Sequence, residues 1–134
     1  MSSRPSAGGA AIGVLGSAFN PPHLGHLALA QEAAWQLRLD EVVLVPTGDA
    51  PHKRIVDDPG RERRMEMTRL AAADDARFSV SSLEVDREGP SYTYETLEAL
   101  AEERADTQLV FVMGADAAVG LESWRRPERV VELA

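Results

Sequence analysis

The chain has 134 residues, of which 44% are hydrophobic and 27% are charged, and its formal net charge is −8. This length predicts one domain or most of one, and the acidic balance argues against broad nucleic-acid binding, which needs an extended basic face. No apolar run is near the length that crosses a bilayer. The chain has no cysteine, which excludes a disulfide framework and a thiolate metal site and favours a cytoplasmic protein.

The first residues are small and polar and lack the apolar core of a signal peptide. We therefore predict a disordered tail over residues 1–10 and a folded domain over 11–134. Residues 11–15 form a short apolar run typical of a buried parallel strand, and 24–39 carry apolar residues at helical spacing. Between them lies a Gly/Pro turn in which His23 and His26 stand three residues apart, so both can face one spot.

A β-branched run over 41–46, ended by proline, predicts a second buried strand. A long loop follows over 47–60, and loops of this length in compact domains are usually functional or mobile. Residues 61–73 predict a helix, and 77–85 predict a third strand. Most arginines are expected on helix surfaces, whereas the three histidines and the single lysine, Lys53, all fall in two Pro/Gly-rich loops. This placement favours a local cationic pocket in an acidic protein.

The chain breaks again at 88–91, and Ser91 or Thr93 is expected to cap a helix over 94–104. A fourth strand is predicted over 108–113, ending at Gly114, with helices over 117–124 and 127–134. Strands that alternate with helices favour a parallel sheet with right-handed crossovers. We predict a doubly wound, Rossmann-like α/β fold in a single domain, whose ligands bind where the strand order reverses. If the first and fourth strands are neighbours there, Gly16 and Gly114 flank one crevice.

The turn Gly16–His26 resembles the Gly-x-Phe-(Asp/Asn)-Pro-x-His-x-Gly-His signature of the nucleotidyltransferases that make coenzymes. Read alone, the pair of histidines favours a plainer interpretation, in which His23 caps the helix and His26 is a polar surface residue. A zinc site is disfavoured because the turn carries no third ligand. The full signature favours phosphate binding, because a helix N-terminus and two imidazoles suit an anion.

Three later segments resemble one branch of that superfamily, the nicotinate mononucleotide adenylyltransferases. Residues 45–53 are similar to its Pro-x-x-x-(Pro)-Pro-His-Lys element, with Ala50 where the family often has a proline. Residues 87–93 are similar to its Arg-x-Gly-x-Ser-Tyr-Thr segment, and 113–124 to Gly-x-Asp-(Ala/Ser) followed by Trp. In this family a phosphate oxygen attacks the α-phosphate of ATP directly, without a covalent enzyme intermediate. The resemblance covers residues 12–124. The family's later phosphate-binding motif does not follow, so we expect the chain to lack the C-terminal part of that domain.

The resemblance implies adenylyl transfer from ATP to nicotinate mononucleotide, giving nicotinate adenine dinucleotide and pyrophosphate in NAD synthesis. It assigns catalysis to His23, His26 and Lys53. It assigns ATP binding to the following residues: Gly16, Ser17, Phe19, Asn20, His26, Gly114 and Asp116. It assigns nicotinate mononucleotide binding to the following residues: His52, Lys53, Tyr92, Thr93 and Trp124.

Magnesium is expected with ATP, held mostly by the triphosphate and water, since the sequence offers no carboxylate cage. No nucleic-acid or membrane partner is expected, and a homo-oligomer is left open. Two alternatives stay open as well. One is an adenylyltransferase acting on phosphopantetheine, which shares the first loop, and the other is a nucleotide-binding module without catalysis.

Overall fold

The structure is a computed structural model and describes residues 10–48, 57–114 and 120–134. Its elements run β1 (Ala10–Ser17), α1 (Leu24–Leu37), β2 (Glu41–Pro46), α2 (Arg61–Ala72), β3 (Phe78–Val80), α3 (Thr93–Glu103) and β4 (Thr107–Val112). A 3₁₀ turn (Leu121–Ser123) and a short helix, α4 (Pro127–Leu133), follow. The alternation of strand and helix was predicted from the sequence.

The four strands form one parallel sheet in the order β3-β2-β1-β4. In this order β1 is central, and the chain winds outward first through β2 and β3 and then, on the other side, to β4. The strand order therefore reverses between β1 and β4. The prediction of a parallel doubly wound sheet with the first and fourth strands as neighbours is confirmed.

The core has one apolar layer on each face of the sheet. One cluster packs residues of α1 against alternate sheet positions such as Leu15 and Leu44. The other packs Leu97 and Leu100 of α3 and Val130 of α4 against Ile12 and Val14. Because every second side chain of β1 points to the opposite face, β1 and β2 are buried on both sides and need to be apolar throughout.

Three predicted boundaries were wrong. The third strand covers only Phe78–Val80. The Ser81 N–H still donates to the Leu44 carbonyl of β2 at 2.9 Å, and the chain then turns, with the Asp86 N–H donating to the Ser82 carbonyl at 2.8 Å. The predicted helix over 117–124 is a 3₁₀ turn over Leu121–Ser123 in its described part, and its residues 117–119 lie outside the described residues. β1 begins at Ala10, inside the predicted tail, while residues 1–9 lie outside the described range.

Candidate active site

The start of α1 is built by two histidines that cap it reciprocally. His23 is the N-cap residue with extended backbone, and its Nδ1 accepts the N–H of Gly25 at 3.0 Å. The Nδ1 of His26 accepts the N–H of His23 at 3.1 Å. A Cβ at Gly25 would lie 2.8 Å from the His23 ring, so glycine is what lets this ring fold over the helix end. The plainer interpretation of His23 as a helix cap is therefore correct in its geometry.

These bonds also fix where the imidazole protons lie. A backbone N–H can only donate, so each Nδ1 must be unprotonated and each neutral ring carries its proton on Nε2. The two rings are stacked with centroids 3.8 Å apart. Capping thus puts both ring protons on Nε2 at the positive end of a helix, which is an arrangement suited to an anion, although the Nε2–H of His26 also lies within reach of the Ser17 hydroxyl.

The turn before α1 contacts His26 through Ser17 and Phe19. Ser17 Oγ lies 3.2 Å from His26 Nε2 and accepts the N–H of Phe19 at 3.2 Å. Phe19 is buried, and its ring meets the His26 ring edge-on at 4.8 Å. Its φ of 51° lies in the left-handed region, uncommon for an aromatic residue. The bond from the Phe19 N–H to Ser17 and the packing of the buried ring stabilise this backbone conformation and keep the Phe19 ring against His26.

His26 is not the polar surface residue of the plainer interpretation. It is half-buried, and burial, together with the nearby His23, lowers the pKa of its imidazole below the ordinary value. Both effects disfavour the charged form. At neutral pH His26 is therefore a neutral hydrogen-bond donor through Nε2.

The carboxyl ends of β1 and β4 form an open edge beside this corner. The two strands are paired up to Leu15 and Val112, and Gly16 and Gly114 follow within two residues. Both glycines are exposed. A Cβ at Gly16 would meet only the Val45 carbonyl, at 3.8 Å, and one at Gly114 would meet nothing within 4 Å. The structure thus brings Gly16, Ser17, Phe19, His23, His26 and Gly114 to one end of the sheet, and half-buried Asn20 lies in the same turn.

The start of α3 is a second polar feature at the same end of the fold. Its N-cap is Tyr92, which makes no side-chain capping bond, so the predicted cap by Ser91 or Thr93 was wrong. Thr93 is the first helical residue. The Ser91 hydroxyl is buried and has no hydrogen-bond partner among the described residues. This helix end thus presents uncapped backbone N–H groups beside a buried hydroxyl.

Ring contacts bring the segment after the 3₁₀ turn against α3. Trp124 is half-buried and meets Phe111 of β4 edge-on, with ring centroids 5.8 Å apart. The guanidinium of Arg125, the next residue, lies 4.4 Å from the centre of the Tyr92 ring. The structure therefore brings Tyr92, Thr93 and Trp124 into one neighbourhood. The predicted roles of His52, Lys53 and Asp116 fall outside the described residues.

Sequence reasoning missed the polar residues buried behind the site. Arg64 was expected on a helix surface but is 0% exposed. The sequence does contain a signal for this burial. Arg64, Thr68 and Ala72 follow one another at four-residue spacing, which places them on one face of α2, and all three are buried. Glu84 is also buried, which raises the pKa of its carboxyl, and it accepts the Thr96 hydroxyl at 2.7 Å.

Within the described ranges 10–48, 57–114 and 120–134, no group of three or more His, Asp or Glu side chains is arranged to hold a metal. No helix in that part of the chain combines the length and apolar character that a membrane crossing requires.

The model of the cytidylyltransferase-like family matches residues 14–134, which include both halves of the site. The chain belongs to this family. Among curated relatives of this cytidylyltransferase-like chain, two named "Probable nicotinate-nucleotide adenylyltransferase" are each 46% identical to it. The Synechococcus sp. (strain JA-3-3Ab) protein aligns with 91% of the chain and 59% of its own length. The Roseiflexus sp. (strain RS-1) protein aligns with 100% of the chain and 64% of its own length. The chain thus spans about three fifths of these relatives.

Solved structures agree with the fold of this family member. A Vibrio parahaemolyticus protein, provisionally named a nicotinate-nucleotide adenylyltransferase, superimposes with a TM-score of 0.74 at 26% identity, over 92% of this chain and 72% of its own. A Plasmodium falciparum nicotinic acid mononucleotide adenylyltransferase complexed with NaAD has a TM-score of 0.77 at 18% identity, over 91% of this chain and 60% of its own. The resemblance stated from the motifs is confirmed at the level of the family.

Proposed function

We propose that this chain catalyses adenylyl transfer from ATP to nicotinate mononucleotide. The observation that carries the proposal is the pair of stacked imidazoles at the start of α1, whose Nδ1 atoms accept backbone N–H groups so that each neutral ring carries its proton on Nε2, with that of His26 next to Ser17 Oγ. They stand beside the open glycine edge where the strand order reverses. The names of the relatives supply the substrate pair.

In the proposed reaction a phosphate oxygen of nicotinate mononucleotide attacks the α-phosphorus of ATP. A new P–O bond forms, the bond from the α-phosphorus to the bridging oxygen of the β-phosphate breaks, and pyrophosphate leaves with that electron pair. The protein needs no nucleophile, and its task is to position two polyanions and stabilise the charge that builds on the transferring phosphate. The Nε2–H donors of His23 and His26 and the N-terminus of α1 suit this task.

The nicotinate side is proposed at the start of α3. A carboxylate is a good ligand for uncapped N–H groups at a helix N-terminus, and the buried Ser91 hydroxyl offers a further donor. Tyr92, Thr93 and Trp124 are proposed to hold the mononucleotide, with Trp124 beside the pyridine ring. His52 and Lys53 are predicted to assist there, and Lys53 also to assist transfer.

The ATP side is proposed to comprise Gly16, Ser17, Phe19, Asn20 and Gly114, with Asp116 predicted at the ribose. The nucleotide is expected to enter as its magnesium complex, so the ion is part of the substrate. The cytoplasmic location stays a prediction, and the homo-oligomer stays an open alternative.

Substitutions of His26 test the proposal because they separate its two ring nitrogens. In His26→Asn the amide oxygen replaces Nδ1 and can accept the His23 N–H, but the donor at the Nε2 position is lost. We expect turnover to fall by about 10²- to 10³-fold, as for the loss of one oxyanion donor, with the melting temperature nearly unchanged. His26→Gln restores a donor near the Nε2 position and is expected to recover part of the rate. Pyrophosphate release measures both, and unchanged turnover in His26→Asn would remove His26 from the mechanism.

A comparison of acceptors tests the substrate. Pyrophosphate release from ATP in the full-length protein should be faster with nicotinate mononucleotide than with phosphopantetheine. Preference for phosphopantetheine would favour the other adenylyltransferase. Ligand-induced stabilisation with both substrates but no pyrophosphate from either acceptor would favour a binding module.

A further inference from the structure

Arg64 is a fully buried cation whose five N–H donors are all used. Nε donates to Asp58 Oδ1 at 2.8 Å, and one N–H of Nη2 reaches Asp58 Oδ2 at 3.5 Å. Nη1 donates to the Ala18 carbonyl at 3.0 Å and to the Thr47 carbonyl, and Nη2 donates to the Gly48 carbonyl at 3.0 Å. Three of these five bonds therefore hold backbone rather than a partner charge.

The carbonyls held by Arg64 belong to the loops that follow two neighbouring strands. Ala18 lies between Ser17 and Phe19, which both contact His26. Thr47 and Gly48 follow β2 directly, and the Thr47 N–H donates to the Ser17 carbonyl at 2.9 Å. The guanidinium thus fixes the backbone on which His26 rests.

Arg61, one helical turn earlier in α2, holds the other side of the site. Its Nη1 donates to the carbonyls of Val85 and Arg87, both at 2.8 Å. This segment leads into the start of α3. The two sides also touch directly, since a Cβ on Gly48 would lie 2.3 Å from the Glu84 carbonyl oxygen. One turn of α2 therefore contacts both loop systems at the carboxyl edge of the sheet.

An arginine that only stabilised the fold would not need these particular backbone carbonyls as acceptors. A buried ion pair contributes little net stability compared with an apolar side chain that fills the same space. Here the charge is spread over three loop carbonyls that no secondary-structure ladder satisfies, so its effect is to fix loop geometry. Catalytic groups need such fixing, because misplacement by about 1 Å can cost about 10²-fold in rate.

We propose that the first turn of α2 sets the two halves of the active site relative to each other. Arg64 is a positioning residue for His26 and the transfer step, acting through Ala18, and Arg61 is a positioning residue for the acceptor, acting through Val85 and Arg87. This inference rests on the proposed adenylyl transfer, and it predicts that the two arginines affect different kinetic parameters.

The kinetic test uses Arg64→Lys and Arg61→Met in the full-length protein, with Arg63→Met as the matched control, because Arg63 lies on the exposed face of the same turn. Arg64→Lys should lower kcat by about 10- to 100-fold and change both KM values little. Arg61→Met should raise KM for nicotinate mononucleotide by about tenfold, as for a lost charged hydrogen bond, with KM for ATP unchanged. Arg63→Met should match the wild type. Equal losses in all three variants, or a rise in both KM values in Arg61→Met, would overturn the proposal.

A second measurement does not depend on turnover. In ¹⁵N NMR spectra, Arg64→Lys should shift the imidazole signals of His26, Arg61→Met should shift the amides of 91–93, and Arg63→Met should shift neither set. If the wild type releases no pyrophosphate with nicotinate mononucleotide, the proposed function fails while these spectra still test the positioning. Should Arg64→Lys not fold, Asp58→Asn removes the partner charge but keeps the carbonyl bonds, and we expect smaller His26 shifts in the same direction. Unshifted His26 signals would refute the role of Arg64.

Discussion

His26 combines a structural and a chemical role in one ring. Its Nδ1 accepts a backbone N–H and its Nε2 lies against Ser17 Oγ. Protonation would place a hydrogen on Nδ1 that faces the His23 N–H, so the folded state resists it. The lowered pKa, caused first by burial and then by His23, acts in the same direction.

The pH dependence of stability follows from this shift. A histidine whose folded-state pKa lies below its ordinary value binds protons more weakly in the folded than in the unfolded chain, so acid favours unfolding. Between about pH 7 and pH 5, around the ordinary histidine value of about 6.5, the free energy of unfolding should fall more steeply in the wild type than in His26→Asn. Chemical denaturation at several pH values measures it.

The comparison with His26→Asn isolates this residue from other titrating groups. The pKa values of Glu41 and Asp58 are lowered by hydrogen bonds from arginines, so their contributions are lost only at more acid pH. Burial raises the pKa of Glu84, so its contribution changes in the opposite direction, but equally in both proteins. Parallel pH profiles would show that the His26 ring is not held as described.

At the scale of elements, α3 is tied to the sheet at the end away from the site. Arg104, just after α3, donates from Nη1 and Nη2 to the two carboxylate oxygens of Glu41 at 2.7 and 3.0 Å. Glu41 begins β2, and Ser79 of β3 donates its hydroxyl to the same carboxylate. One carboxylate thus connects two strands and a helix at the amino edge of the sheet.

Arg104→Met should separate stability from activity. The pair is a bidentate one but is partly exposed, with 35% and 25% of the two side chains accessible, so screening limits its loss to about 1 kcal/mol in the free energy of unfolding. The difference should vanish as the pH falls and Glu41, whose pKa is lowered mainly by the Arg104 hydrogen bond, becomes protonated. Urea melts at pH 7 and at a series of lower pH values measure the effect, and turnover at pH 7 should be unchanged. A loss of turnover would mean that this end of the sheet contributes to the site.

For the whole molecule, the sheet separates two apolar layers that belong to different clusters. Leu44 lies in the layer with α1 and Leu97 in the layer with α3, with exposures of 1% and 0%. Leu44→Ala and Leu97→Ala should each lower the free energy of unfolding by about 2–5 kcal/mol. Because the layers share no cluster, the double variant should show the sum within about 0.5 kcal/mol.

Leu70→Ala is the matched control, since this leucine is 71% exposed on α2 and should cost less than about 0.5 kcal/mol. Denaturant melts of the four variants measure the loss in the free energy of unfolding for each and show whether the losses at Leu44 and Leu97 add. A strong coupling between Leu44 and Leu97 would mean that the sheet transmits packing changes between its faces.

The sequence by itself determined the order of elements, the parallel sheet and the family. The apolar runs of β1, β2 and β4 are long enough to be buried on both faces, and the turn before α1 carries its signature within a few adjacent residues. Local pattern suffices there, because contacts such as that of His23 with Gly25 span only two positions.

Only the tertiary structure decided what surrounds that turn. The bonds of Arg64 to Ala18 and Gly48 join residues 46 and 16 positions apart, and those of Arg61 to Val85 and Arg87 join residues 24 and 26 apart. An arginine in a charged helical segment has the same local pattern whether it faces water or loop carbonyls. The difference depends on where three loops meet, which is set by the folding of the whole sheet.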